Sequence, residues 1–110
     1  MKKILITGHR GFIGKHLTKY FSRDNHVFTI TKKVFNSSGI LRAKLNSYNC
    51  EYVFHLASHT SLPEENYEYY NDQVKNTLLP AVNLALNAPK STKVIIFFGS
   101  IEEYGDSKIP

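Results

Sequence analysis

Three glycines spaced three apart, Gly8, Gly11 and Gly14, stand in the run Gly8-His9-Arg10-Gly11-Phe12-Ile13-Gly14. The chemistry such a run offers is the binding of a phosphate or pyrophosphate. Glycine lets the backbone turn tightly and approach an anion with no Cβ between them. A helix N-terminus behind it adds unpaired N–H groups and a partial positive charge. In this reading the backbone amides of Phe12 and Ile13 face the anion, and their side chains pack under the helix. Arg10 sits in the turn and either reaches a phosphate or is an ordinary exposed arginine.

The spacing is Gly-x-x-Gly-x-x-Gly rather than the commoner Gly-x-Gly-x-x-Gly of dinucleotide folds. Glycines alone also serve turns with no function, so the flanks matter. Apolar Lys3-Ile4-Leu5-Ile6-Thr7 precedes the run, and helix-like Lys15-His16-Leu17-Thr18-Lys19-Tyr20-Phe21 follows it. Strand, glycine turn and helix in that order make the pattern a dinucleotide-binding signal.

Five apolar runs read as strands: Lys3–Thr7, His26–Thr31, a weak Gly39–Leu41, Glu51–Leu56 and Lys93–Phe98. The first, fourth and fifth are continuously apolar, as parallel strands covered on both faces require. Helices are expected between them. One runs from about Gly11 to Arg23, with Asn25 in the turn after it, and a short one covers Leu41–Tyr48. The longest reaches from Pro63 to Asn87, where Val74, Leu78, Ala81, Val82 and Ala85 recur at helical spacing. Pro63 suits a first turn. Pro80 does not suit an interior and should kink or split this helix. Alternating strands and helices imply an α/β fold, a doubly wound parallel sheet of about five strands in the order 3-2-1-4-5.

At 110 residues the chain is one domain, residues 1–110, able to build a core without disulfides or metals. The lone Cys50 excludes an internal disulfide and points to a reducing, cytoplasmic setting. No apolar run is long enough to span a membrane. The net charge of +5 is scattered rather than gathered in a basic block, so neither nucleic acid nor a membrane surface is expected as a partner. The histidines show no metal-ligand spacing.

Four pieces in order resemble the extended short-chain dehydrogenases/reductases, the NAD-dependent epimerase/dehydratase group that acts mainly on nucleotide sugars. They are Thr7-Gly8-x-x-Gly11-Phe12-Ile13-Gly14, His55-Leu56-Ala57-Ser58, Asn76, and Gly99-Ser100-Ile101-Glu102-Glu103-Tyr104-Gly105. The resemblance spans nearly the whole chain and implies a Rossmann-type fold. It implies cofactor contacts at Leu56, Ala57 and Ser58, largely through backbone. His55, before them, reads as a structural strand residue, and His59 as a residue that could border a substrate pocket. It places at Ser100 the residue that hydrogen-bonds the reacting sugar hydroxyl or carbonyl; otherwise Ser100 caps a loop or helix. Glu102 would be an acid/base of the dehydratase kind, or half of a solvated acidic pair with Glu103. Ile101 departs from the polar residue usual before it.

The second strand bears on which cofactor is held. A carboxylate at its end would hold a ribose 2′-hydroxyl. Here the position falls at Thr31, followed by Lys32 and Lys33. Two cations and no carboxylate favour NADP over NAD, although lysines are also common in surface turns. The family's Asp after the third strand has no counterpart in Ile40-Leu41-Arg42-Ala43.

Resemblance also implies a Tyr-x-x-x-Lys pair, in which the lysine charge lowers the tyrosine pKa. Tyr104 and Lys108 have that spacing, but Gly105 breaks a helix there. The family's pair would lie beyond Pro110, which leaves this chain catalytically incomplete and truncated before the substrate-binding part. Apolar surface left uncovered in that way would favour a homo-oligomer. The function expected is the dinucleotide-binding part of a nucleotide-sugar epimerase, dehydratase or reductase, moving hydride to or from NAD(P) at a sugar carbon. The alternatives are a non-catalytic NADP-binding or sensing module, and a structural remnant.

Overall fold

The computed structural model describes residues 1–57, 71 and 74–98, without the side chains of Lys32, Asn36 and Asn76. Strand β1 (Lys3–Thr7) leads through the glycine turn into helix α1 (Phe12–Phe21) and strand β2 (His26–Ile30). A 3-10 helix (Lys32–Asn36), helix α2 (Ser38–Tyr48) and strand β3 (Tyr52–His55) follow. A π-helical turn (Val74–Leu78), helix α3 (Leu79–Asn87) and strand β4 (Val94–Phe97) complete the described elements.

The sheet is parallel throughout, in the order β2-β1-β3-β4. Its register explains the layering. Leu5 is paired with Phe28 on one side and Val53 on the other, and Val53 with Ile95. Side chains paired across neighbouring strands share a face, so these four form one row. That row packs against Val34 and Phe35 of the 3-10 helix, Leu41 and Leu45 of α2 and Leu84 of α3. The opposite face carries Phe54, whose ring meets Phe21 of α1 at 5.0 Å. Helices therefore cover both faces, the doubly wound arrangement expected from the alternating elements.

Helix α1 begins one residue later and ends two earlier than its spacing suggests. Gly11 is the N-cap. At the other end the Asn25 amide nitrogen donates to the Phe21 carbonyl at 3.2 Å, as does the Asn25 backbone N–H at 3.0 Å. The long helix changes its winding near Pro80, with Leu78 at the junction itself helical. The π-helical turn stops at Leu78 and Pro80 falls in the first turn of α3. The start expected at Pro63 lies outside the described residues.

The weak third strand at Gly39–Leu41 is corrected: these residues lie in α2. Ser37 caps that helix, its hydroxyl accepting the Ile40 N–H at 3.4 Å. Leu41 and Leu45 then recur at helical spacing and are buried against the sheet, which a three-residue strand at the edge could not achieve. The described sheet therefore has four strands. With that strand removed, the expected order is the observed one. Continuous apolarity in β4 does not bring full burial, because Val94, Ile96 and Phe97 stay exposed on what is the outer described strand.

Candidate cofactor-binding site

β1, β2 and β3 end in register. Thr7 pairs with Ile30 on one side and His55 on the other. The loops that leave these three strands emerge along one edge of the sheet. From β1 the chain crosses to β2 on one side, and later returns to β3 on the other side of β1. The loops after β1 and β3 therefore diverge and leave a crevice, the place where open α/β sheets hold ligands.

The glycine turn fills the middle of that edge. Gly8 has φ +71°, a conformation that side-chain-bearing residues seldom adopt. It also sits hard against the exit of β3, and a Cβ there would come within 2.8 Å of Ala57 N and of the Leu56 carbonyl carbon. The Gly8 carbonyl accepts the Gly11 N–H at 3.1 Å, closing the turn. Gly14 is buried in the first turn of α1, and a Cβ on it would collide with the Gly8 carbonyl oxygen. The turn thus rests directly on the helix, which only glycine at position 14 permits. Gly11 is less constrained, since among the described residues its Cβ would meet only Gly8 O, at 3.4 Å.

The start of α1 is open to an anion. Among the described residues no side chain caps it, and its first turn holds no acidic residue. The amides of that turn remain available together with the positive end of the helix dipole. The side chains of Phe12 and Ile13 correct the expectation that they pack beneath the helix: they are 82% and 53% exposed. Gly14, Leu17, Thr18 and Phe21 form the inward face at helical spacing, which turns positions 12 and 13 outward. Phe12 instead lies edge-on to His16 at 4.9 Å. Arg10 is exposed on the turn.

Thr31 follows β2 as an exposed, extended residue heading the 3-10 helix, and Lys33 is exposed in that helix. Leu56 and Ala57 lie half-buried beside the turn, held by backbone. Leu56 N–H and Ala57 N–H each donate to Thr7 Oγ1 at 3.1 Å. The Thr7 hydroxyl meets His55 Nδ1 at 2.7 Å. Burial alone pushes the His55 imidazole down to about 4. This Thr7–His55 knot has no sequence signal beyond its place in the two motifs, because it depends on strand register. Ser58, His59, Ser100 and Glu102 lie outside the described residues, as does the side chain of Asn76. Among the described residues no group of three or more His, Cys, Asp or Glu is gathered as metal ligands would be. No described helix is long and apolar enough to cross a membrane.

A family model for the NAD-dependent epimerase/dehydratase family matches residues 4–110. The chain belongs to this family. It is similar to UDP-glucose 4-epimerase of Neisseria meningitidis serogroup B, at 29% identity over 139 residues, which covers all of this chain and 40% of that protein. Among solved structures it is similar to the Bordetella bronchiseptica enzyme WbmG in complex with NAD and UDP. The TM-score is 0.80 at 20% identity, covering 94% of this chain and 39% of that one. It is also similar to dTDP-4-dehydrorhamnose reductase of Bacillus anthracis in complex with NADP. Here the TM-score is 0.69 at 18% identity, covering 79% of this chain and 32% of the other. The chain thus spans about two fifths of the length of the epimerase. These structural likenesses establish a shared Rossmann fold.

Proposed function

We propose that this family member is the dinucleotide-binding part of an enzyme that moves hydride to or from NAD(P) at a carbon of a nucleotide sugar. The observation that carries this is the cradle at the crevice, where Gly8 lies flush on Gly14 and the open start of α1 faces the same edge. The space a Cβ would fill at either glycine is already taken by backbone. What remains beside the turn is uncapped amide, which suits a pyrophosphate.

In this proposal the α1 amides and the Gly8–Gly11 turn bind the pyrophosphate, while Leu56, Ala57 and Ser58 bound the cofactor crevice. Arg10 adds charge near the phosphates. A bound nicotinamide supplies a hydride acceptor or donor. Ser100 hydrogen-bonds the reacting sugar oxygen and Glu102 exchanges a proton beside it. Exposed Leu78, Leu79, Val82 and Leu86 around α3 support association of like chains. The buried Cys50 thiol suits a reducing, cytoplasmic setting.

Thr31, Lys32 and Lys33 favour NADP, since the sequence after the second strand carries two lysines and no carboxylate to hold a ribose 2′-hydroxyl. The test is a fluorescence titration with NADPH and NADH, repeated on the double variant Thr31→Asp/Lys32→Ala. The wild type should bind NADPH more tightly, and the variant should reverse the order. Binding of neither by the wild type overturns the cradle reading. Tighter NADH binding by the wild type overturns the cofactor preference alone.

A further inference from the structure

Four polar atoms meet where β1 and β3 end. Thr7 Oγ1 lies 3.1 Å from Leu56 N, 3.1 Å from Ala57 N and 2.7 Å from His55 Nδ1. A hydroxyl has one hydrogen to donate and two lone pairs that accept, whereas a backbone N–H only donates. Among the described residues both amides can only donate to this oxygen, so His55 Nδ1 is the one acceptor offered to the hydroxyl hydrogen. Nδ1 must then be bare, and the neutral ring carries its hydrogen on Nε2.

The rest of the ring sits in apolar surroundings. Among the described residues Nε2 is buried with no hydrogen-bond partner. The imidazole stands edge-to-face with Phe35 at 5.8 Å and with Phe97 at 5.5 Å. An imidazolium would bring a charge into that aromatic slot and an N–H at Nδ1 against the hydrogen of the Thr7 hydroxyl.

The consequence reaches the glycine turn. Leu56 N–H has a second acceptor, the Thr7 carbonyl, at 3.2 Å. Ala57 N–H has Thr7 Oγ1 as its acceptor among the described residues. Ala57 N is also the atom that a Cβ on Gly8 would approach to 2.8 Å. At Ala57 the wall against which Gly8 is seated is thus held by a hydroxyl whose direction His55 sets.

We propose that His55 is a positioning residue for the glycine turn: by accepting the Thr7 hydroxyl at a bare Nδ1, it aims both Thr7 lone pairs at the Leu56 and Ala57 amides and holds the exit of β3 against Gly8. The effect on dinucleotide affinity rests on the proposed cradle; the effect on the backbone does not.

Two variants separate acceptor from bulk. His55→Leu fills the slot without an acceptor, and His55→Asn keeps an oxygen near the place of Nδ1. Imidazole nitrogen shifts by NMR and amide hydrogen exchange read the device with no cofactor present. The wild type at neutral pH should show the Nε2–H tautomer and a slowly exchanging Ala57 amide. His55→Leu should speed Ala57 exchange about tenfold, as loss of one hydrogen-bond partner implies, and His55→Asn should restore most of the protection. NADPH affinity should fall and recover in the same order. An Nδ1–H tautomer in the wild type overturns the proposal. So does unchanged Ala57 exchange in a folded His55→Leu. If that variant does not fold, a folded His55→Asn with an unprotected Ala57 amide overturns it, and a protected one supports it. If the wild type binds neither NADPH nor NADH yet keeps the tautomer and the protected amide, the cradle reading falls and the His55 geometry stands.

Discussion

Replacing Gly14 by alanine sets two effects of opposite sign against each other. Alanine is the better helix former, and in an open helix the exchange stabilises by about 0.5–1 kcal/mol. At this site the new Cβ would overlap the Gly8 carbonyl oxygen and come within 2.8 Å of both Gly8 C and His9 Cα. Carbon atoms pack comfortably at about 3.5–4.0 Å, so relief needs a shift of roughly an ångström. The colliding atoms are backbone and cannot swing aside as a side chain would. The turn must therefore lift off α1, at the cost of about 1–3 kcal/mol usual for overpacking. The collision wins, and Gly14→Ala is expected to destabilise. Gly11→Ala is the control. Among the described residues its Cβ would meet only Gly8 O, at 3.4 Å, and its φ of −74° suits any residue. Its cost should stay below about 1 kcal/mol, the scale of a changed N-cap. Urea unfolding followed by circular dichroism gives both stabilities, and an NADPH titration reads the turn itself. The reasoning is refuted if Gly14→Ala costs no more stability than Gly11→Ala.

Two further outcomes concern buried titratable groups. Folding lowers the His55 pKa from 6.5 to about 4, so between these values the unfolded chain binds the extra proton. The stabilisation this provides is complete above the unfolded value and is lost as pH falls toward the folded one. At roughly 1.4 kcal/mol per pKa unit, the full loss is about 3 kcal/mol. Urea midpoints across that window should fall more steeply for the wild type than for His55→Asn, and parallel curves would refute the assignment. Burial raises the Cys50 thiol from 9.0 to about 11, partly offset by nearby Lys3. At mildly alkaline pH that leaves about a hundredfold less thiolate in the folded chain, and the thiol is buried besides. A chromogenic thiol reagent should react at least that much faster in denaturant, and equal rates with and without denaturant would contradict the burial.

The glycine turn is legible in the sequence because its requirement is local. A strand end, a φ that glycine tolerates and a helix start are all written within Lys3–Phe21. The parallel order is legible as well, since apolar strands alternating with helices leave few ways to cover both faces. Gly39–Leu41 misleads as a strand because three apolar-leaning residues carry no period. The Ser37 cap and the burial of Leu41 and Leu45 decide it for the helix. Hydrophobicity alone would put Phe12 and Ile13 under α1, whereas helix phase turns Gly14 inward and them outward.

The sequence by itself determined that this chain has a glycine turn between its first strand and first helix and a carboxylate-free second-strand exit. Those features reside in residue type and spacing, which folding does not alter. Only the tertiary structure decided what supports the turn. Thr7 and His55 are 48 positions apart, and their meeting depends on β3 returning beside β1 in one particular register. A slip of one residue would put either side chain on the opposite face and break the contact. Strand register comes from the packing of the whole sheet, so no local pattern around either residue could announce it.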